Sequence, residues 1–297
     1  MHVLGTWVAV LSAAYLVSMM FALGLELGGG PKESKEQKRA KRRMLLRGLI
    51  LNLVVLPLVA FGITRAAHPP KDVAVALLLL AAVPGGRFAP HLVRFGGGDI
   101  ALAVEVTVFL AKLTCFTAVL SAKWMLTLGA LEIRELPIVA QLVVLQLVPF
   151  YLGKWLRRAH RNTADRLLKP AQWVATALLL TGVPAVLLRD DRGILALLDA
   201  RSWLAILAVV VVSPVIGWLF AARHDAERRT FAIGANCREL ALALTMASFA
   251  FPDKGVHTAL YGIWSILGIA SFLIASGMRN AAAIPRFVTD SWRSAGR

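Results

Sequence analysis

Between residues 78 and 99 the chain reads LLLAAVPGGRFAPHLVRFGGGD. An apolar run is cut by Pro84-Gly85-Gly86 and followed at once by Arg87, Pro90, His91 and Arg94. Proline and paired glycines free backbone groups that a continuous helix bonds internally. In hydrocarbon each such group costs several kcal/mol, so broken backbone persists only inside protein or beside a wet cavity. The stretch predicts a discontinuous helix within a membrane. Taken alone, a simple kink at Pro84 is the alternative.

The surroundings support a membrane setting. The chain has 297 residues, of which 58% are hydrophobic, and a mean hydropathy of +0.68. Charge is confined to short blocks between long apolar runs, the pattern of a polytopic membrane protein. The net charge of +16 sits in connecting segments rather than on one face, so it points to anionic lipid headgroups and away from nucleic acid. The opening MHVLGTWVAVLSAAY lacks the basic region and small-residue cleavage pattern of a signal peptide, and reads as the entry to a retained span. Cys115 and Cys237 lie inside apolar runs, without metal spacing, and no structural disulfide is expected of them.

A span needs about 20 mainly apolar residues. Nine segments qualify: 4–27, 45–65, 72–95, 99–121, 136–156, 167–188, 203–222, 229–251 and 256–278. Basic residues cluster in alternate connections: eight between Lys32 and Arg47, then Lys154 to Lys169, then Arg223 to Arg229, then the tail from Arg279. Since basic connections stay in the cytoplasm, the amino terminus is expected outside and the carboxyl terminus inside. The chain also echoes itself. LILNLVVLPLVAFGITR (49–65) resembles LAILAVVVVSPVIGWLFAAR (204–223), and the span after each carries an interruption, Pro84-Gly85-Gly86 or Gly234-Ala235-Asn236. The two copies run in opposite directions, as inverted repeats of secondary transporters do, with half-helix ends facing a midplane cavity. Chance likeness between apolar helices is the competing explanation.

Ionisable groups fall beside these breaks. Glu105 and Lys112 are seven residues apart, on one face of the fourth span, and Arg238 and Glu239 lie within the eighth. Each is costly at a helix centre and is expected to face a cavity or a partner. They form either a substrate or proton site, or two neutralising pairs, Lys112 with Glu239 and Arg238 with Glu105. His91 and Arg94 fit the inner end of a span, Asp99 a helix N-cap, and Glu26 the inner mouth of the first span. Trp7, Trp124, Trp203 and Trp264 fit interfacial or packing roles.

These residues resemble the bile acid:sodium symporters and their bacterial relatives. MMFALGLEL is similar to the family's Met-Gly-Leu-Glu-Leu, and PGGRFAPHLVRFGGGDIALAVEVT to the stretch where Pro-Gly-Gly precedes Ser-Asn and Gly-Gly-Asp-Val-Ala-Leu follows. GANCRELALALTMASFAFPD resembles the second crossing segment. The resemblance implies a nine-span form lacking the first of ten helices, in a bacterial inner membrane. It implies a panel domain and a core domain, the two broken helices crossing in the core beside the substrate path. The expected fold is therefore an all-α polytopic membrane protein of nine transmembrane helices. Its first inverted repeat spans 4–121, its second 136–278, and a cytoplasmic tail follows at 279–297. Where the family binds sodium, this chain departs: Ser-Asn falls on Ala89 and Pro90, one of a hydroxyl pair on Ala103 with only Thr107 left, and Glu-x-Gly-x-Gln on Ala232, Gly234 and Asn236. Sodium prefers several fixed oxygens, much as calcium does.

The resulting expectation is a secondary active transporter of a small organic anion. Gly85, Gly86, Arg87, Lys112, Asn236 and Arg238 are the candidate substrate contacts, and Glu105, Thr107 and Glu239 the candidates for cation or proton coupling. Na⁺ is the only implied cofactor, and its family ligands are largely missing. The alternative is a membrane sensor or scaffold on the same fold that binds ligand without moving it. A membrane enzyme is excluded by the lack of HExxH, GxSxG and any intramembrane Asp pair. The sequence carries no ring of like charges or filter motif for a channel.

Overall fold

An apolar chain in lipid has to bond its backbone to itself, and helices do so within one segment. The computed structural model describes residues 2–26, 35–86, 88–128, 135–187, 191–221, 224–251 and 254–295, in places by backbone alone. In order they form α1 (His2–Glu26), α2 (Lys35–Ile50), α3 (Leu56–Ala67), α4 (Lys71–Ala82), α5 (Ala89–Phe95), α6 (Ile100–Leu128) and α7 (Glu135–Ala159). There follow α8 (Arg161–Leu187), α9 (Asp191–Leu198), α10 (Ala200–Phe220), α11 (Asp225–Asn236), α12 (Leu240–Ala250) and α13 (Lys254–Ala295). The fold is all-α and polytopic, with no strand among the described residues.

Local chemistry sets several boundaries. Asp99 caps α6, its Oδ1 accepting from the Leu102 N–H at 3.0 Å, and Asp199 caps α10 through the Arg201 N–H. α3 ends on His68 in the left-handed region, φ 49°, whose N–H reaches the Thr64 carbonyl. Pro69-Pro70 then forbids continuation. A π-helical segment, Leu51–Val55, joins α2 to α3, with the Leu56 N–H reaching back to Leu51. It ends two residues before Pro57, which cannot donate to the helical ladder.

The packing suits lipid outside and close contact inside. α10 exposes Leu204, Leu207, Val211, Val215 and Leu219 at helical spacing, an apolar stripe that water would not tolerate. Its other face buries Ser202, Ala205, Val209, Ser213 and Gly217. α1 packs on α7 and α8. Gly24 and Gly153 let the first two meet backbone to backbone, since a Cβ on Gly24 would meet the Phe150 carbonyl. α4 packs on α3, α6, α12 and α13, and every residue from Val75 to Val83 is buried.

Three described helices, Arg42–Ala67, Ala200–Phe220 and Gly255–Asn280, are each long and apolar enough to cross a bilayer, or four spans if one bent pair in α6 is counted. That is fewer than the nine segments read from hydropathy. The physical reason in part is that α4 with α5, and α11 with α12, are half-helices, each shorter than the roughly 20 residues a crossing needs. The first interruption falls as expected, between Ala82 and Ala89. The second does not. α11 continues through Gly234-Ala235-Asn236, and the unwound residues are Cys237, Arg238 and Glu239. Arg238 and Glu239 therefore stand on open backbone rather than within a helix. Gly234 has open space around it, so no close neighbour forces the chain to part there.

The two breaks meet, which makes Gly86 critical. A Cβ at Gly86 would lie 2.7 Å from the Arg238 carbonyl oxygen, whereas one at Gly234 would meet nothing within 4 Å. Gly86→Ala is expected to cost about 1–3 kcal/mol, as overpacking does, and Gly234→Ala to be neutral or slightly stabilising. Thermal unfolding of the two purified variants in detergent checks the pair.

Candidate functional site

The site is built from backbone first. Pro84 and Arg238 form an antiparallel bridge between the two unwound segments. The Gly86 N–H donates to the Cys237 carbonyl at 3.3 Å and the Glu239 N–H to the Val83 carbonyl at 3.2 Å. Groups left open by one broken helix are thus bonded by the other. Gly85 turns the chain at φ 93°, a conformation suited to glycine. Around the crossing, α4 packs on α12 and α5 on α11. The Trp264 indole N–H of α13 donates to the Arg238 carbonyl at 3.0 Å.

The crossing gathers Gly85, Gly86, Asn236, Arg238 and Glu239. The Asn236 side-chain amide donates to the Val210 carbonyl of α10 at 3.0 Å, leaving its Oδ1 buried without a partner. Arg238 is 5% exposed, and its Nη1 is buried without a hydrogen-bond partner. Glu239 is buried beside it at the start of α12. Lys112 is on α6, where its ammonium stands 5.4 Å from the Phe109 ring centroid and 5.6 Å from that of Phe150 on α7. Glu105 is half-buried on the same helix. Arg87 lies outside the described residues.

Two cavities adjoin these elements. The larger, about 440 Å³, opens between α1 and α8 on one side and α5 and α6 on the other. Tyr15, Met19, Leu23 and Val104 give it apolar walls, and Glu26, Gln172, His91 and Arg94 give it polar ones. Glu26 accepts from Gln172 at 2.6 Å. His91 and Arg94, expected merely to end a span, face this space. Its wall residue Phe88 packs on Trp264 with ring centroids 6.4 Å apart, so one aromatic layer links the cavity to the Arg238 backbone.

The smaller cavity, about 20 Å³, has room for roughly one water. Ala89, Ala103, Thr107 and Gly234 line it, the positions where the resemblance would have placed sodium. Asn52 and Thr230 contribute as well. The Thr230 hydroxyl is already committed, donating to Ala226 and accepting from the Asp99 N–H. No carboxylate lines the space, and its walls are mostly hydrocarbon. These residues do not fit sodium, which needs several fixed oxygens and a compensating charge.

Sequence reasoning missed Asn52 and the specific role of Trp264. Asn52 is 4% exposed within the π segment, its amide donating to Gly48 at 2.9 Å and its Oδ1 unpartnered. A lone amide in an apolar run five residues before a proline was the available signal. π segments recur at functional sites.

Comparison with known proteins agrees with this architecture. Residues 13–196 match the Sodium Bile acid symporter family. The chain is 26% identical over 273 residues to a Bacillus subtilis protein named "Uncharacterized sodium-dependent transporter YocS", covering 87% of this chain and 80% of that one. It is 28% identical over 211 residues to the human P3 protein, covering 68% of this chain but 43% of that protein. The mouse P3 protein is 28% identical over 222 residues, with 71% and 46% covered.

Trp264→Phe keeps the ring against Phe88 and removes the donor to Arg238. The expected cost is about 1–3 kcal/mol, that of a buried acceptor left unmade. Chemical unfolding measured beside the wild type checks it, with a loss smaller than that of Trp264→Ala.

Proposed function

The chain belongs to the sodium bile acid symporter family, and on that premise we propose that it carries a small organic anion across the membrane by alternating access without using sodium. One observation supports this reading above the others: Arg238 holds a buried guanidinium with an unpartnered Nη1 at the meeting point of two broken helices. A buried charge is costly until an opposite charge reaches it. A carboxylate, sulfonate or phosphate matches guanidinium geometry with paired hydrogen bonds.

The 440 Å³ cavity is the proposed entry. It suits a ligand with an apolar body against Met19, Leu23 and Phe88. His91 and Arg94 favour its negative group at the mouth, and Arg238 favours it at the crossing. Gly85 and Gly86 allow close backbone approach, and Asn236 Oδ1 offers an acceptor. Alternating access then consists of α1, α7 and α8 moving against the crossing helices, so that the cavity opens to one side at a time. On the reading that basic connections stay in the cytoplasm, this mouth, with Glu26 and Arg94, opens to the cytoplasmic side. Glu105 and Glu239 are the candidate groups for proton coupling, and Thr107 keeps the one hydroxyl of the pair the resemblance assigns to a cation. Sodium independence is supported by the small cavity, whose described lining lacks a carboxylate.

Proteoliposome uptake of a panel of carboxylates and sulfonates is expected to proceed equally in sodium and in choline buffers. Arg238→Met should abolish uptake while leaving thermal stability unchanged or raised, because a well-packed apolar side chain avoids the cost of burying charge. Strict sodium dependence would remove the coupling proposal. Anion binding without flux into sealed vesicles would identify a sensor instead of a carrier.

A further inference from the structure

On the lipid-facing side of the crossing helices, two arginines flank the three-glycine turn between α5 and α6. Phe95, the last residue of α5, stacks on Phe272 of α13 at 5.4 Å between centroids and 15° between planes. The Arg279 guanidinium lies over the same Phe95 ring at 4.9 Å. Two residues on, Gly97 is exposed with φ 72°, and a Cβ there would come within 3.0 Å of Arg229 Nη1. Gly96 bears on Ala275, one turn before Arg279. The turn is pinned to α11 by the Asp99 N–H, which donates to Thr230.

The nearby Asp99 carboxylate caps α6 through the Leu102 N–H, and Asp225 lies one turn before Arg229 on α11. From Arg279 an apolar stripe runs along α13: Phe272 is 50% exposed, and Ile269 and Leu273 are each 62% exposed. These lie three to four residues apart on one face of the helix, one to three turns before Arg279. The segment long and apolar enough to span ends at Asn280, so Arg279 sits at the edge of the hydrocarbon. An apolar stripe alone is ordinary lipid-facing surface, and an arginine pair alone is content in water. Together they complement a molecule with a negative phosphate at one end and a hydrocarbon chain at the other.

We infer that Arg229 and Arg279 clamp the phosphate of an anionic phospholipid over Gly97, with an acyl chain lying along Ile269, Phe272 and Leu273. The aromatic stack fixes the Arg279 plane for paired hydrogen bonds. The bound lipid holds α5, α11 and α13 as one unit at the bilayer edge. This inference is independent of the substrate reading, since none of Arg229, Arg279 and Phe272 lines the 440 Å³ cavity.

The test uses the full chain in nanodiscs of phosphatidylcholine, with and without phosphatidylglycerol. Native mass spectrometry reads retained phosphatidylglycerol. R229Q and R279Q are each expected to lose about fivefold in retention, and the double variant the product of the two. R65Q, at an exposed arginine of α3, should lose nothing. Millimolar inorganic phosphate in phosphatidylcholine discs should not raise the melting temperature, whereas phosphatidylglycerol should. Wild-type retention in either single variant overturns the inference, and so does equal stabilisation by free phosphate, which would make the site one for a soluble anion.

Discussion

Backbone hydrogen bonding without water is the constraint on which the rest depends. A helix broken in lipid exposes donors and acceptors that nothing in the bilayer can meet. Here two breaks meet each other: Gly86 donates to Cys237, and Glu239 to Val83. The chain thereby obtains irregular backbone at membrane depth at little cost. Neither break is viable without the other. Close approach, made possible by Gly86 and steadied by Trp264, is what joins them.

Once the crossing exists, it fixes where polar side chains go. Residues on the unwound segment escape the helical ladder, so Arg238 is set at a junction of four half-helices instead of on a lipid-facing surface. Its guanidinium is buried with capacity to spare. Fixed charge and eroded cation site belong together on the proposed reading. A small cavity lined by Ala89 and Ala103 offers a mobile cation little. A carrier built this way has its positive charge supplied by the chain.

Legibility in the sequence followed local chemistry. Pro84-Gly85-Gly86 announced the first break because those residues act on their own backbone. The second break has no such residues. Cys237-Arg238-Glu239 is unwound by what lies across from it, so sequence inspection settled on Gly234-Ala235-Asn236, three residues early. The Asp99 cap was legible for the same local reason. Shared helix faces were legible, but not what they face: the period placed Glu105 with Lys112, and nothing in it revealed that Lys112 would stand over Phe150. His91 and Arg94 read as span-end residues, since a cavity wall exists only after α1 and α8 are set opposite α5.

The same distinction bears on coupling. Family resemblance is carried by residues that shape backbone, namely Pro84, the glycines and the Asp99 cap, and this chain keeps them. Ion coupling is carried by side-chain oxygens, and here most of those positions are alanine, proline or glycine, with Thr107 and Asn236 the ones that keep an oxygen. Backbone geometry and coupling chemistry can therefore part: a chain retains the crossing because its helices cannot do without it, while the ion site is free to drift. A relative's printed sodium dependence accordingly transfers less securely than the architecture does. On the proposed reading, sodium would need a carboxylate that the described lining of the small cavity lacks.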